Sequence, residues 1–162
     1  MKTAHSHQET RDETLPFHDA NVRVRYAETD QMGVVYHANY LIWMEIGRVE
    51  LMRSLGVEYK QMETHDDCHI VVVDVHCRYL KSARYDEVLR IRTSISESRS
   101  RSIKFYYEIW RDADSQLLAT AETTHVICGK DGRPKHLPER HRHLFAAAAP
   151  AHKSARAAAR NK

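Results

Sequence analysis

The sequence predicts an α+β fold in which one long helix is enclosed by an antiparallel sheet. Three observations carry this. A helical period over residues 40–55 is apolar around most of its girth. One strand precedes it, and four extended segments rich in β-branched and aromatic residues follow it. The connectors among those four are short and polar, so sequential antiparallel pairing is the economical topology.

At 162 residues the chain suits one domain that buries roughly two-thirds of its unfolded surface. Residues 1–20 are polar and without apolar period, and read as a mobile arm. The domain then covers 21–145. Residues 146–162 are an alanine-rich basic tail with no apolar face to pack, expected to fray.

Val22–Tyr26 alternates as a half-buried strand does, and Gly33 marks a loop. Asn39 is a plausible N-cap for the helix, and Gly56 a natural stop. Glu45 and Arg48, three residues apart in the apolar face, are expected to pair as a buried structural ion pair, with substrate handling the alternative. The four extended segments are 69–81, 86–97, 102–111 and 116–128, and Pro138 can open a short helix through Phe145.

Composition excludes several function classes. Cys68, Cys77 and Cys128 follow no CxxC spacing, which indicates neither a disulfide framework nor a thiolate zinc site and suits a reducing cytoplasm. No stretch reaches the ~20 apolar residues that span a bilayer, and the N-terminus lacks a signal-peptide core. The net charge of +3 is owed to Lys153, Arg156, Arg160 and Lys162, so nucleic-acid binding belongs at most to the tail. Cys68 beside His69 resembles a nucleophile and base only superficially, because adjacent strand residues point to opposite faces.

The densest chemistry lies between Tyr26 and Tyr40. Asp30 sits where a strand yields to a glycine loop, seven residues before His37 and the helix start. A helix N-terminus offers unpaired N–H groups and partial positive charge, which would stabilise charge developing on a carbonyl oxygen under attack. Asp30 could attack that carbonyl or activate a water. His37 could supply a backbone N–H, and Tyr26 could orient the carboxylate or the substrate. The alternative for Asp30 is a turn cap, and for His37 a side chain simply hydrogen-bonded in place.

The run Tyr26-Ala-Glu-Thr-Asp30-Gln-Met-Gly33-Val-Val-Tyr36-His37-Ala-Asn39-Tyr40, followed by Trp43-Met44-Glu45, Arg48-Val-Glu50 and Tyr79-Leu-Lys-Ser-Ala83-Arg84-Tyr85-Asp86-Glu87, resembles the 4-hydroxybenzoyl-CoA thioesterase/YbgC-like family across roughly residues 20 to 145. Glu28, Thr29, Gln31 and Met32 differ from that family's commonest residues around the acid and bear on pocket shape. The resemblance implies a hotdog fold, a curved antiparallel sheet around a central helix, assembling as homodimers whose sheets join and often as homotetramers. It implies hydrolysis of an acyl-CoA thioester without metal or cofactor. Asp30 matches the nucleophile or general base, the His37 N–H the oxyanion donor, and Tyr26 and His37 further site residues. Acyl carrier protein as thioester carrier, or a non-catalytic acyl-CoA binding module, are the alternatives. Lys81, Arg84, Arg99, Arg101 and Lys104 lie near expected strand ends and are candidates for the CoA phosphates. Trp43, Met44, Tyr59 and Met62 are candidates for lining the acyl pocket or packing the core.

Overall fold

The protein was described from a computed structural model covering residues 16–150. The strands are β1 (Phe17–Arg23), β2 (His69–Tyr79), β3 (Val88–Ser98), β4 (Ser102–Arg111) and β5 (Gln116–Cys128); the helices are α1 (Asn39–Ser54), α2 (Tyr59–Asp66) and α3 (Glu139–Ala148). The strands form one antiparallel sheet in the order β1-β3-β4-β5-β2.

β3, β4 and β5 alternate buried apolar with half-buried polar residues along most of their length, as strands with one face on a core do. Ile91, Ile95, Ile103, Phe105, Tyr107, Ile109 and Ile127 supply the sheet's side of that core. Trp43, Met44, Leu51 and Met52 of α1 fill the other side. Gly47 lets the helix approach: a Cβ there would fall 2.4 Å from Thr93 Oγ1 and 2.9 Å from Ile91 Cγ2.

Several expectations are corrected. β1 starts at Phe17 rather than Val22, so residues 17–20 belong to the sheet; the rest of the expected arm, 1–15, and most of the tail, 151–162, lie outside the described residues. α3 runs past Phe145 to a buried Ala148. β3 to β5 pair sequentially, but β2 does not join β3. β1 occupies β3's outer edge, and β2 completes its hydrogen bonds along β5 instead. Asn39 opens α1 without capping it, because its side-chain Nδ2 donates to Glu28 O (2.8 Å). α2 is an element the sequence reading did not contain.

α1 is not enclosed on all sides within one chain. Leu41, Ile42, Glu45 and Ile46 are exposed. Glu45 and Arg48 form no ion pair: Glu45 faces outward, while the Arg48 guanidinium turns under the helix toward Tyr107 and His125. The His125 imidazole is pushed down to about 3 by burial, with the Arg48 charge acting in the same direction.

Candidate active site

Asp30 stands in a loop closed by an antiparallel bridge between Thr29 and Val35. Asp30 N donates to Val34 O (2.9 Å), and Gly33 N returns to Asp30 O (3.0 Å). Gly33 has φ +71°, a left-handed backbone that glycine adopts without strain. Met32 N donates to Asp30 Oδ1 (2.8 Å). The capping role thus takes one carboxylate oxygen, and Oδ2 accepts nothing among the described residues.

The loop is held against the start of α1 by Glu28, only 4% exposed. Its carboxylate accepts from Arg25 N (2.7 Å), Arg25 Nη2 (2.8 Å) and Trp43 Nε1 (3.2 Å). Burial works to raise its pKa, but those hydrogen bonds outweigh it and hold the carboxyl below its ordinary value, so it stays ionised. The Glu28 carbonyl accepts from Asn39 Nδ2 and Tyr36 N. A residue that read as a departure around the acid is therefore the hub joining loop to helix.

At the helix entrance, the N–H groups of His37 and Ala38 donate to no described residue. These are the open donors a helix N-terminus presents. The His37 carbonyl is fixed twice, by Tyr40 N (3.3 Å) and by the Tyr79 hydroxyl, which donates to it at 3.0 Å. The Tyr79 ring stands edge-on to those of His37 (6.4 Å) and Tyr40 (5.0 Å). Burial, then the neighbouring Cys77, push the Tyr79 phenol up to about 12, so it remains a donor. Tyr40, whose hydroxyl accepts from Ala83 N (3.2 Å), ties the helix to the segment after β2.

These groups share a cleft of about 310 Å³ lined by Asp30, Val34, Val35, His37, Tyr40, Tyr79, Leu80, Lys81 and Ser82. Arg84 lies beside it, its guanidinium 3.5 Å from Gly33 O. The remaining candidate basic residues lie elsewhere. Arg99 pairs with Glu97, Arg101 bonds His136, and Lys104 pairs with Glu122. They cluster at the β3–β4 turn, the end of β3 away from the cleft, roughly 30 Å along an 11-residue strand. Tyr26 does not line the cleft either. It is 77% exposed, and its ring packs edge-on against Tyr85 (5.6 Å).

Trp43, Met44 and Met62 are fully buried core residues and Tyr59 packs against the same core, although Met44 also borders a second groove between α1 and β2. Cys68 is buried, which pushes its thiol up to about 11 and leaves it a poor nucleophile. Among the described residues no group of three or more His, Cys, Asp or Glu could hold a metal ion, and no helix is long and apolar enough to cross a membrane. Sequence reasoning missed Glu28 and Tyr79. Tyr79 stood within the quoted Tyr79–Glu87 run, but nothing local links it to His37, 42 residues earlier.

The model of the thioesterase-like superfamily matches residues 24–156. YneP of Bacillus subtilis (strain 168) is 40% identical over 110 residues, covering 68% of this chain and 78% of that protein. The acyl-CoA thioesterase YbgC of Haemophilus influenzae is 32% identical over 114 residues, covering 70% and 82% respectively. The DHNA-CoA thioesterase of Staphylococcus aureus superposes with a TM-score of 0.74 at 30% identity, over 82% of this chain and 87% of that one. With its antiparallel sheet packed on a long helix, the chain belongs to the thioesterase-like superfamily and has the hotdog fold.

Proposed function

We propose that this protein hydrolyses acyl-CoA thioesters to a free acid and CoA at the cleft between Asp30 and the start of α1. The supporting observation is that a carboxylate with one unengaged oxygen, Asp30, and His37, whose N–H is open, line one cleft, with the open N–H of Ala38 next along the chain. The thioester carbonyl oxygen faces the N–H groups of His37 and Ala38. As negative charge grows on that oxygen, donors held in place beforehand stabilise it.

Asp30 serves in one of two ways. As general base it takes a proton from water while the water oxygen bonds to the carbonyl carbon; collapse breaks the C–S bond, and the thiolate recovers the proton. As nucleophile, its oxygen bonds to the carbonyl carbon and the C–S bond breaks, expelling the CoA thiolate and leaving a mixed anhydride. Water then opens the anhydride, regenerating the Asp30 carboxylate and the free acid while a proton from that water passes to the thiolate. Single turnover in ¹⁸O water identifies the second route where label appears in the Asp30 carboxylate, which happens when water opens the anhydride at the aspartyl carbonyl and never in the general-base route. In this reading Lys81 at the cleft and Arg84 beside its loop take the CoA phosphates, whereas Arg99, Arg101 and Lys104 are engaged by other residues near the β3–β4 turn.

The unit of function in this reading is a homodimer. β2 is a sheet edge of 11 residues, and Val71, Val72, Val73 (58% exposed) and Val75 are open along it beside the open apolar face of α1. Long apolar edges are normally covered or paired. Pairing of β2 with the β2 of a second copy covers both features at once. A reducing cytoplasm is the setting in which Cys68, Cys77 and Cys128 remain free thiols, as they are here.

The test is release of CoA thiol by the purified protein across a panel of aliphatic and aromatic acyl-CoA esters. Turnover of at least one class at about 1 s⁻¹ or faster, within the usual enzymatic range, is the expected result. Tight ester binding without turnover would make the chain a binding module instead.

A further inference from the structure

The open face of α1 carries one charge. Leu41 and Glu45, and Ile42 and Ile46, are four residues apart, so they form a continuous stripe along the helix surface with the carboxylate at its centre. Glu45 makes no hydrogen bond or ion pair with any described residue. Arg48, one turn on, is half-buried; its guanidinium reaches Tyr107 under the helix, its Nε is fully buried without a partner, and no carboxylate lies within ion-pair distance of it among the described residues. Both side chains line one groove of about 230 Å³ between α1 and β2, with Leu41, Ile42, Val72 and Val75 as apolar walls. A cation and an anion thus stand apart on a surface otherwise built for burial. Covering that surface with either charge unmatched would be costly.

We infer that this face is self-complementary, and that in the homodimer Glu45 of each protomer pairs with Arg48 of the other. A two-fold interface is isologous: if residue i meets residue j of the partner, then j meets i. Two antiparallel copies of α1 crossing on the open face at the level of Ile46 set each Glu45 opposite the other copy's Arg48. Ile42 and Ile46 then pack around the two pairs and exclude water. The same contact roofs the groove beside the catalytic cleft, because Leu41 follows Tyr40 along the helix and Val75 and Tyr79 lie along one strand. This inference rests on the homodimer of the proposed function and specifies its helix layer.

Sedimentation equilibrium on the full chain and two charge reversals tests it. Glu45→Arg sets like charges at both pairs of its homodimer, and Arg48→Glu does the same with the opposite sign. Each is expected to dissociate at least about 100-fold more readily than wild type, because like charges facing across an interface cost several kcal/mol. Mixed one to one, the two variants are expected to form a heterodimer within about tenfold of wild-type affinity, since both cross pairs are then opposite in sign. A pair formed within one chain cannot give this rescue, because each variant chain keeps two like charges wherever it goes. Should circular dichroism show Arg48→Glu unfolded, Arg48→Gln replaces it, and preferential heterodimerisation with Glu45→Arg is the expected result. A dimeric wild type with no heterodimer on mixing overturns the cross pairs and leaves the dimer standing. A monomeric wild type at about 100 μM, well above the dissociation constants of stable dimers, overturns the dimer and the cross pairs with it.

Discussion

In the proposed reaction the Tyr79 hydroxyl acts through the backbone, without touching the reacting atoms. The His37 carbonyl it holds and the Ala38 N–H are opposite ends of one trans peptide plane, so fixing the carbonyl fixes the direction of that N–H. A hydrogen bond accepted at the carbonyl also polarises the peptide and strengthens its N–H as a donor. Tyr79→Phe keeps the ring contacts with His37 and Tyr40 and removes only the hydroxyl. Loss of one such hydrogen bond, about 1 kcal/mol, is expected to lower kcat roughly five- to tenfold with KM little changed, as steady-state thiol release would show. A fall in affinity at constant kcat would instead make Tyr79 a ground-state contact. That Asp30 and His37 would line one cleft was readable because loop, acid and helix start fall within eight residues. Glu28 and Tyr79 were not, because their roles depend on partners 15 and 42 residues away in Trp43 and His37.

For the elements, α1 holds the main lesson. Its residues are apolar nearly all round, and that pattern alone reads as enclosure. Within one chain the sheet covers only the face bearing Trp43, Met44, Gly47 and Leu51, leaving Leu41, Ile42 and Ile46 open. Periodicity reports that a face will be buried, not which molecule buries it. The expected Glu45–Arg48 pair failed for a related reason: spacing puts the two a turn apart, but one points out while the other points under the helix. Gly47 marks the closest approach of helix to sheet. In an exposed helix Gly→Ala stabilises by about 1 kcal/mol. Here the added methyl meets Thr93 Oγ1 and Ile91 Cγ2, both buried, and Gly47→Ala is expected to destabilise by about 1–3 kcal/mol. Urea denaturation measures it, and an unchanged or raised midpoint would contradict the packing described. α2 escaped the sequence reading because its eight residues bury only Met62 and show no side-chain cap.

At the scale of the whole molecule, β-branched and aromatic content and polar turns made β2 to β5 readable almost to the residue, whereas strand order was not. Sequential pairing neglects the claim of β1 on β3, and that claim sends β2 to the opposite side of the sheet. One of the two sheet edges is therefore the strand that carries Tyr79 to the cleft at one end and the exposed valines along its length. Fold, proposed assembly and proposed site thus meet along α1 and β2, and the chemistry assigned to them depends on one carboxylate. Asp30→Asn retains an oxygen to accept the Met32 N–H, so the loop should persist while the base or nucleophile is lost. The most direct measurement is kcat/KM for acyl-CoA hydrolysis by Asp30→Asn beside wild type, with thermal melting as a control for folding. A loss of about 10²–10⁴-fold at unchanged melting temperature is the expected result. Equal rates for the two proteins would remove Asp30 from the reaction.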